Sequence, residues 1–589
     1  MNHVNQPVRH RIVIPAGFFL ILGLSIYFFG RSVGPSLPGF PANVDLMAGL
    51  FLLSFLVVVG LEWGLARWLT LDATKPLLTP VLLTHLPWVL GWALPVVIGL
   101  TLPDPHNIVL RKIQILFGTM WVAHLFLFAG WLLDRLGKER GTYSGKFFWV
   151  GLYFLLGATL WTTQCDLSGD EPHYLLMGYS LLHDGDLNLA NNYQSQDYLR
   201  FYHRGILNPQ GLDHFVDGKI FSYHPLGPVL LALPGFALLG RLGAALTMAL
   251  LAALALFLTL KVMEETGAMG WPLRAVAWIG LFSSPVFMFA GLIYPEVPTA
   301  LLIALTLWLF LRKRWGYLGL SLGAMLWMHN RNVLIVIPLI LLLVLETASL
   351  GRDRWKAVAK GFIGFLVPVV VLALYFLKVY GVFTPLGAHH EPFASLFPLH
   401  RFFIGFFGLI LDQECGLWFH FPVFALAVAG GYFLFSSQNP LRRLVLGTFG
   451  FFYLFMCFYE NLGLTPAVRY MVGVTPLLMI LIYPVFEKIR LDEVWYKLTA
   501  FLFMVGVAVN WMLAAVPWMR YNRLQGENWI LKIIGDMTRL PLTQWEPAFH
   551  ASPIEWRTYL LSVYWVAVCI GLTAWFVSGK IDRYKDKRR

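Results

Sequence analysis

The sequence predicts an all-α polytopic membrane protein with about 16 transmembrane helices, within a range of about 14 to 16. Its 589 residues are 58% hydrophobic and only 13% charged, with a mean hydropathy of +0.66. Soluble domains carry about 25% charged residues, so this composition excludes a water-soluble fold. Apolar runs of about 17 to 24 residues recur from end to end, and each is long enough to cross a hydrocarbon core of about 30 Å.

Residues 1–146 are predicted to form an accessory amino-terminal module of about four spans. The first apolar run, Ile12–Gly30, is long for the hydrophobic region of a signal peptide, and no Ala-x-Ala-like site follows it. We interpret it as a retained helix. Three ionisable residues fall at membrane depth, and they are more typical of helix packing than of catalysis: Glu62, His85 and His124.

Residues 147–520 are predicted to form the membrane core. After a span over 147–163 comes a hydrophilic loop, 164–224, in which Pro172 behind Asp170 and Glu171 predicts the start of a helix. Apolar residues on one face of that helix favour a position along the membrane surface. They are Tyr174, Leu175, Tyr179, Leu181 and Leu182.

Past Pro225 the chain is apolar through Leu239, but Pro234, Gly235 and Gly240 interrupt it, which predicts a membrane-embedded half-helix. Further spans are predicted near 243–262, 274–291, 295–311, 316–329, 333–346, 360–380, 417–436, 443–460, 469–486, 496–516 and 557–577. Two more segments predicted on the outer side stand out, Gly381–Gly416 and Arg520–Glu555. Residues 521–589 are expected to hold an outer segment, the last span and a basic tail.

Lysine and arginine divide unevenly between the two predicted sides of the membrane. With a cytoplasmic amino terminus, the inner segments hold 28 of the 44 Lys and Arg residues and the outer segments hold the remaining 16. This bias predicts that both termini are cytoplasmic. It also indicates that the positive charges, which give a net charge of +12, face the lipid bilayer and do not bind nucleic acid. The inner segments are 9–11, 67–75, 135–146, 261–274, 312–314, 352–360, 442–443, 488–497 and 580–589.

The first chemical candidate is the sequence Asp170–Glu171–Pro172–His173–Tyr174, directly after a predicted span on the outer side. Adjacent carboxylates where the chain leaves lipid have reduced solvent access, which favours a general base. The alternative is a solvated helix cap, since acids favour a helix amino end. The same two interpretations apply to Glu296, which lies between prolines in Tyr294–Pro298.

A second group of candidates is cationic. Arg331, next to His329, should lie near membrane depth, where an arginine is costly unless it faces a cavity or an anion. Its planar guanidinium matches phosphate oxygens, although a side chain that reaches the interface is the alternative. Further candidates for binding a substrate head group are Arg401, Asp412, Glu414, Arg469, Tyr470, His203, Arg204, Lys219 and His224.

Other chemistries lack their signatures. There is no GxxxxGK[ST], HExxH or GxSxG motif and no dinucleotide fingerprint, so the chain offers no ATP site. An enzyme working outside the cytoplasm without nucleotide needs an activated donor carried by lipid. No CxxC or other metal-ligand spacing occurs among the four cysteines; a disulfide between Cys165 and Cys415 is one interpretation, and unpaired small residues are the other.

The sequence SGDEPHYL, an acidic pair in the first large outer loop, resembles the GT-C superfamily of membrane glycosyltransferases. That superfamily includes the protein O-mannosyltransferases and the aminoarabinose transferase of lipid A. The sequences IYPEVP, LDQECGLWFHFPVFALA and TPAVRYMVGVTPLL are similar to those of bacterial members. The resemblance covers roughly residues 147–520 and leaves the first four spans and the tail unmatched.

The resemblance implies a GT-C-like catalytic core with amphipathic outer-surface helices, in a bacterial inner (plasma) membrane. It implies inverting transfer from a polyprenyl-phosphate-linked sugar to an envelope glycan, lipid or protein acceptor on the outer face. Asp170 matches the general base, Glu171 stands beside it, Glu296 would shape or polarise the acceptor site, and Arg331, Arg401 and Arg469 are candidates for the donor phosphate. Some members use a divalent metal, although no ligand set here demands one.

Two other functions stay open from the sequence. A transporter or flippase of lipid-linked sugars also needs a cavity with cationic groups, but its ionisable residues commonly lie in broken helices at mid-membrane. A glycan polymerase or ligase is a closer alternative, and the outer segment 520–555 would suit one.

Overall fold

The computed structural model describes residues 122–135, 142–163, 165, 167–210, 215–216, 218–383, 399–459, 467–489, 493–520, 526–551 and 553–586. These residues are almost wholly helical, which confirms the all-α prediction for the described part. Their one sheet is a short antiparallel hairpin in which β1 (Phe215–Val216) pairs with β2 (Lys219–Ile220). Most of the predicted module 1–146 lies outside the described residues.

The helices follow the predicted apolar segments closely. In chain order they are α1 (122–135), α2 (Tyr143–Thr162), α3 (Glu171–His183), α4 (Ala190–Gln194), α5 (Leu226–Glu265), α6 (Gly270–Phe282), α7 (Pro285–Phe289), α8 (Glu296–Leu311), α9 (Trp315–Met328), α10 (Val333–Glu346), α11 (Arg354–Tyr380), α12 (Leu399–Leu411), α13 (Leu417–His420), α14 (Ala427–Phe435), α15 (Arg442–Met456), α16 (Arg469–Val472), α17 (Thr475–Ile489), α18 (Glu493–Ala515), α19 (Trp529–Thr538) and α20 (Trp556–Asp586).

Five helical segments in the described part are long and apolar enough to cross a membrane, and the predicted number of sixteen is not confirmed. Helices such as α8, α9 and α10 have only 14 to 16 residues. At 1.5 Å per residue they measure about 21 to 24 Å, less than a hydrocarbon core of about 30 Å. The five segments are Leu226–Glu265, Gly270–Phe289, Leu350–Tyr380, Glu493–Ala515 and Trp556–Ser578.

Helix α5 is broken at Leu239 and Gly240, where the backbone leaves helical geometry. Gly235 and Gly243 would be about 12 Å apart along a straight helix. Instead, a Cβ added to Gly243 would lie 1.9 Å from the carbonyl oxygen of Gly235, so the chain folds back on itself at the break. This confirms the predicted interruption and makes the first part of α5 a half-helix.

The described chain forms two compact units. One comprises residues up to Cys165 with Trp511–Pro517, and the other comprises Asp166–Asn510 with Trp518–Arg589. The second unit contains all the chemical candidates of the sequence. One of its apolar clusters joins α3 to the first half of α5 through Leu176, Met177 and Val229.

Helix α3 begins at Glu171, with Pro172 in its first turn, as the sequence predicts. Its amphipathic character was predicted wrongly, because residues on every side of its first two turns, from Glu171 to Gly178, are buried. The reason is the packing of α5 and the loop before β1 around it. Tyr174 is therefore an interior residue and not part of a surface stripe.

Candidate active site

A cavity of about 190 Å³ lies within the second unit, between the amino end of α3 and the region where α9 meets α10. Its wall combines one carboxylate, two guanidinium groups and many aromatic side chains. The charged lining residues are Asp170, Arg331 and Arg469, and the polar and aromatic ones include Tyr174, Tyr223, His224, Trp327, His329, Tyr375, Tyr380, Tyr459 and Tyr470. The cavity thus brings together groups from α3, α9, α11 and α16.

Asp170 is held at the wall by the turn that precedes α3. Gly169 adopts φ +64°, and a Cβ at that position would lie 2.5 Å from the Tyr294 hydroxyl, so the turn requires glycine for both conformation and space. The Asp170 backbone N–H donates to the same hydroxyl across 3.4 Å. Tyr294 therefore fixes the backbone on either side of the Gly169–Asp170 peptide bond.

Arg469 connects two carboxylates that are far apart in the sequence. Its Nη2 donates to Oδ2 of Asp170 across 2.7 Å, and its Nε donates to Oε1 of Glu296 across 2.9 Å. Arg331 donates to the same Glu296 oxygen. The side chain of Glu296 is only 2% exposed, so a buried network of two acids and two guanidinium groups borders the cavity.

Aromatic rings hold both guanidinium groups in place. The guanidinium carbon of Arg331 lies 4.5 Å from the centre of the Tyr470 ring, and that of Arg469 lies 4.5 Å from the centre of the Tyr294 ring. Cation–π contacts of this kind stabilise a desolvated arginine. Each ring covers one face of its guanidinium and leaves the N–H groups directed at carboxylates.

Local backbone structure sets the position of each arginine. His329 ends α9, and its Nδ1 accepts a hydrogen bond from the Arg331 backbone N–H across 3.2 Å, while Asn332 donates to the Met325 carbonyl. Val468, directly before Arg469, adopts φ +60°. A β-branched residue in this left-handed region is strained, and such strain is found where a neighbouring side chain must be held in one orientation.

The ionisation state of Asp170 follows from two opposing effects. Burial raises its pKa, but the Arg469 guanidinium, with smaller contributions from His224 and His173, lowers it more, so the pKa lies below the ordinary value of 3.8. Asp170 is therefore a carboxylate at neutral pH, the form that accepts a proton. Its side chain keeps 22% of its surface accessible.

A pair of stacked imidazoles lies behind Asp170. The rings of His173 and His224 are 5.3 Å apart, with His173 Nδ1 2.9 Å from the Tyr193 hydroxyl and His224 Nε2 2.8 Å from Oε1 of Gln210. Burial, with the neighbouring His224, lowers the pKa of His173 to about 3, although Asp170 opposes the shift. His173 is thus neutral at physiological pH, and it stacks on His224, which lines the cavity.

Glu171 has a different environment from its neighbour Asp170. Its Oε1 accepts the backbone N–H of Ile293 across 3.0 Å, and the side chain is buried away from the cavity. The contact joins the start of α3 to the segment before α8. Glu171 thereby helps to bring Asp170 and Glu296 together. Glu296 contacts both arginines but does not line the cavity.

Several predicted residues lie elsewhere in the described part of the chain. His203, Arg204 and Lys219 are exposed on the loop and hairpin before α5, and Arg401 lies on α12; none of the four lines the cavity. Asp412 and Glu414 are buried in a separate polar cluster. Cys165 and Cys415 are not joined by a disulfide.

Sequence reasoning missed most of the aromatic wall. Tyr375 and Tyr380 lie on α11, while Tyr223 and Tyr459 come from two other parts of the chain. A tyrosine near the end of an apolar run is indistinguishable from an interface anchor. Tyr174 was a candidate, and its hydroxyl is buried at the cavity with no hydrogen-bond partner among the described residues. This hydroxyl is therefore available to a bound molecule.

Comparison of the chain with known protein families, characterised proteins and solved structures finds no match.

Proposed function

We propose that this protein is a GT-C-type glycosyltransferase that moves a sugar from a polyprenyl-phosphate-linked donor to an envelope glycan, lipid or protein acceptor on the non-cytoplasmic side of the membrane. The observation that carries the proposal is the placement of the Asp170 carboxylate beside Arg331 and Arg469 on the wall of one aromatic cavity. A base and two cations at one wall are the groups that such a transfer requires.

The two arginines supply the site for the donor phosphate. Guanidinium groups form paired hydrogen bonds with phosphate oxygens, and they gain strength where water is excluded. Both are desolvated here, and both face the cavity. Tyrosine and tryptophan around them offer flat apolar faces with polar tips, which suit a sugar ring next to an isoprenoid chain.

Asp170 serves as the general base. Its carboxylate takes the proton of an acceptor hydroxyl or amine while that atom bonds to the anomeric carbon. The bond between the anomeric carbon and the phosphate oxygen breaks, and its electron pair leaves with polyprenyl phosphate, whose charge the arginines stabilise. The product is a glycoside of inverted configuration, and Asp170 then releases the proton to water.

Arg469 is a proposed ligand of the donor phosphate and also a partner of Asp170, so it couples donor binding to the strength of the base. In the structure this guanidinium is bound to Asp170 and keeps the pKa of that carboxyl low. A phosphate that engages Arg469 competes with Asp170 for the same N–H groups, which weakens the contact that lowers the pKa. Asp170 becomes a stronger base when the donor is present, so donor and acceptor are activated together.

A flippase for the same lipid-linked sugar is the principal alternative. The break in α5 at Gly240 is a feature of transporters, but Arg241 is the only ionisable residue within five positions of it, and Arg241 does not line the cavity. The acids and arginines instead meet where short helices begin, at α3, α8 and α16. This arrangement favours catalysis over transport. A glycan polymerase or ligase would use the same site with a larger acceptor.

Mass spectrometry of envelope glycans and polyprenyl-phosphate sugars, in cells with and without the gene, tests the proposal. We expect loss of one glycan modification with accumulation of its lipid-linked donor on the outer face. Accumulation of the donor on the cytoplasmic face would identify a flippase instead. Unchanged glycans and donors, or unlinked polymer subunits in place of a lost modification, would contradict single-sugar transfer.

A further inference from the structure

A second polar cluster lies where two outer segments of the sequence meet. The turn after α12, Asp412–Gly416, packs against the segment between α18 and α20. Gln413 donates from its backbone N–H to the Pro547 carbonyl across 2.9 Å, and the Asn528 side chain donates to the Gln413 carbonyl across 2.7 Å. None of these residues lines the tyrosine-rich cavity.

Three potential metal ligands converge in this cluster. One ligand atom each from Asp412, Cys415 and His550 lies within 4.8 Å of the others. The Asp412 side chain is fully buried and that of His550 is 13% exposed. Cys415 is 2% exposed. A thiol, an imidazole and a carboxylate from two distant parts of the chain thus face one interior point.

The distance between His550 and Asp412 matches one edge of a small tetrahedral site. His550 Nδ1 lies 3.4 Å from Asp412 Oδ1 and 3.9 Å from Glu414 Oε2. Zinc bonds to nitrogen and oxygen measure about 2.0 to 2.1 Å, which places neighbouring ligands of a tetrahedron roughly 3.3 to 3.4 Å apart. A bond to sulfur of about 2.3 Å lengthens the edges to Cys415 only slightly.

The Asp412 carboxylate is already oriented by the backbone. Its Oδ1 accepts the N–H groups of Glu414 and Cys415 at 2.8 and 2.9 Å, and its Oδ2 accepts the N–H of Phe549 across 2.7 Å. Outer hydrogen bonds of this kind fix the position of a ligating carboxylate. Asp412 also restrains the backbone at the other two ligands, because it accepts the N–H of Cys415 and that of Phe549, the residue before His550.

We propose that Asp412, Cys415 and His550 bind a structural Zn²⁺ ion, with Glu414 next to them to complete the coordination. Thiolate and imidazole donors together favour zinc over magnesium or calcium, which take oxygen ligands. A zinc ion here would fasten the segment carrying α19 to the turn after α12. The proposal is independent of the proposed transfer reaction.

Metal analysis of the full-length protein, purified in detergent without chelator, tests this site. We expect about one zinc per chain in the wild type and below about 0.1 in Cys415→Ser and His550→Gln, because each variant loses one of few protein ligands. Cys457→Ser, which removes a buried thiol at the end of α15, is the matched control and should keep the wild-type content. A chelator should lower the melting temperature of the wild type and of Cys457→Ser alike.

Cobalt provides a readout that does not depend on the folding of the variants. Co²⁺ loaded into the wild type and into Cys457→Ser should produce a thiolate-to-cobalt charge-transfer band in the near ultraviolet. Two results would overturn the proposal: a wild type that holds no zinc and shows no such band, which would leave an Asp412–His550 ion pair only, or full zinc content in Cys415→Ser and His550→Gln.

Discussion

Arg469 donates a hydrogen bond to Asp170 across 2.7 Å, although the two residues are separated by 299 positions in the chain. The same guanidinium donates to Glu296, which Arg331 also contacts. The contact keeps Asp170 ionised and, at the same time, occupies N–H groups that a phosphate would use. In the proposed reaction, competition for this guanidinium would connect the charge of a bound donor to the strength of the base.

The pKa of Asp170 predicts the acid limit of activity. Because Arg469 holds this pKa below 3.8 before a donor engages the guanidinium, Asp170 stays ionised as the pH falls, and its contribution to stability and to kcat/KM is lost as the pH drops below about that value. Replacement of Arg469 by Gln leaves burial unopposed by the guanidinium, so the acid limb of the pH–rate profile should move to higher pH.

The rate of the residual transfer by Arg469→Gln, measured as a function of acidic pH, tests this shift. The matched control is Arg200→Gln, which removes an exposed arginine paired with Asp197 in the segment after α4. Its acid limb should coincide with that of the wild type. An acid limb that stays in place in Arg469→Gln would show that Asp170 does not set it.

Gly169 and Gly185 provide a test of the turn that positions Asp170. Both adopt positive φ, +64° and +74°, so alanine costs each turn about 1 kcal/mol of folding free energy. Only at position 169 does the new Cβ meet another group, the Tyr294 hydroxyl, whereas nothing lies within 4 Å at position 185. We expect Gly169→Ala to lose transfer at least about tenfold, since small misplacements of a base are costly.

Thermal unfolding and transfer rates of the two variants decide the matter. Gly185→Ala should be slightly less stable and fully active. Equal losses of activity in both variants would mean that general destabilisation, and not the contact with Tyr294, explains the effect.

The sequence was sufficient for the positions of most helices, because long apolar runs and helix-start signals are local properties of the chain. The start of α3 at Glu171 and the break near Gly240 both followed from proline and glycine positions. The burial of α3 could not be predicted in this way. Its apolar stripe looked like a surface face because the sequence does not reveal what covers the opposite side.

The candidate site was predictable in its charges but not in its pairing. Asp170, Glu296, Arg331 and Arg469 stood out because charged residues are rare and costly between apolar runs. Which acid faces which arginine depends on contacts between distant segments, so Glu171, next to Asp170, was given a catalytic role although it bonds to the Ile293 backbone. Tyr174 and Tyr470 stood out only because they follow charged residues, and the other cavity tyrosines carried no distinguishing signal.

The His173 imidazole predicts a loss of stability in mild acid. Its pKa is lowered to about 3 in the folded protein, against 6.5 for an ordinary histidine. Between these values the unfolded chain binds a proton that the folded chain does not, so stability falls as the pH drops below 6.5. The loss should reach about 2 kcal/mol by about pH 5.

His173→Gln, which keeps a polar partner for the Tyr193 hydroxyl, should remove this part of the acid sensitivity. Melting temperatures of wild type and variant in detergent, compared at neutral and mildly acidic pH, measure it. His203→Gln replaces an exposed histidine of the same loop and should behave as the wild type. Parallel losses in wild type and His173→Gln would contradict the predicted origin.

The effects of substituting Glu296 and Arg331 on the free energy of unfolding should be strongly coupled. Removing one partner of a buried ion pair leaves the other charge uncompensated and costs about 3–5 kcal/mol. Glu296→Gln and Arg331→Gln should therefore each lower the melting temperature substantially, while the double variant should lose less than the sum of the two. Additive losses would show that the two side chains act independently.

Transfer by purified protein in liposomes, with a polyprenyl-phosphate sugar as donor, tests the central claim most directly. Wild type and Asp536→Asn, a change at an exposed aspartate of α19, should release polyprenyl phosphate and glycosylate the acceptor. Asp170→Asn should fold normally and transfer about 10²- to 10⁴-fold more slowly, because the base is lost. Turnover of Asp170→Asn near the wild-type rate would contradict the account.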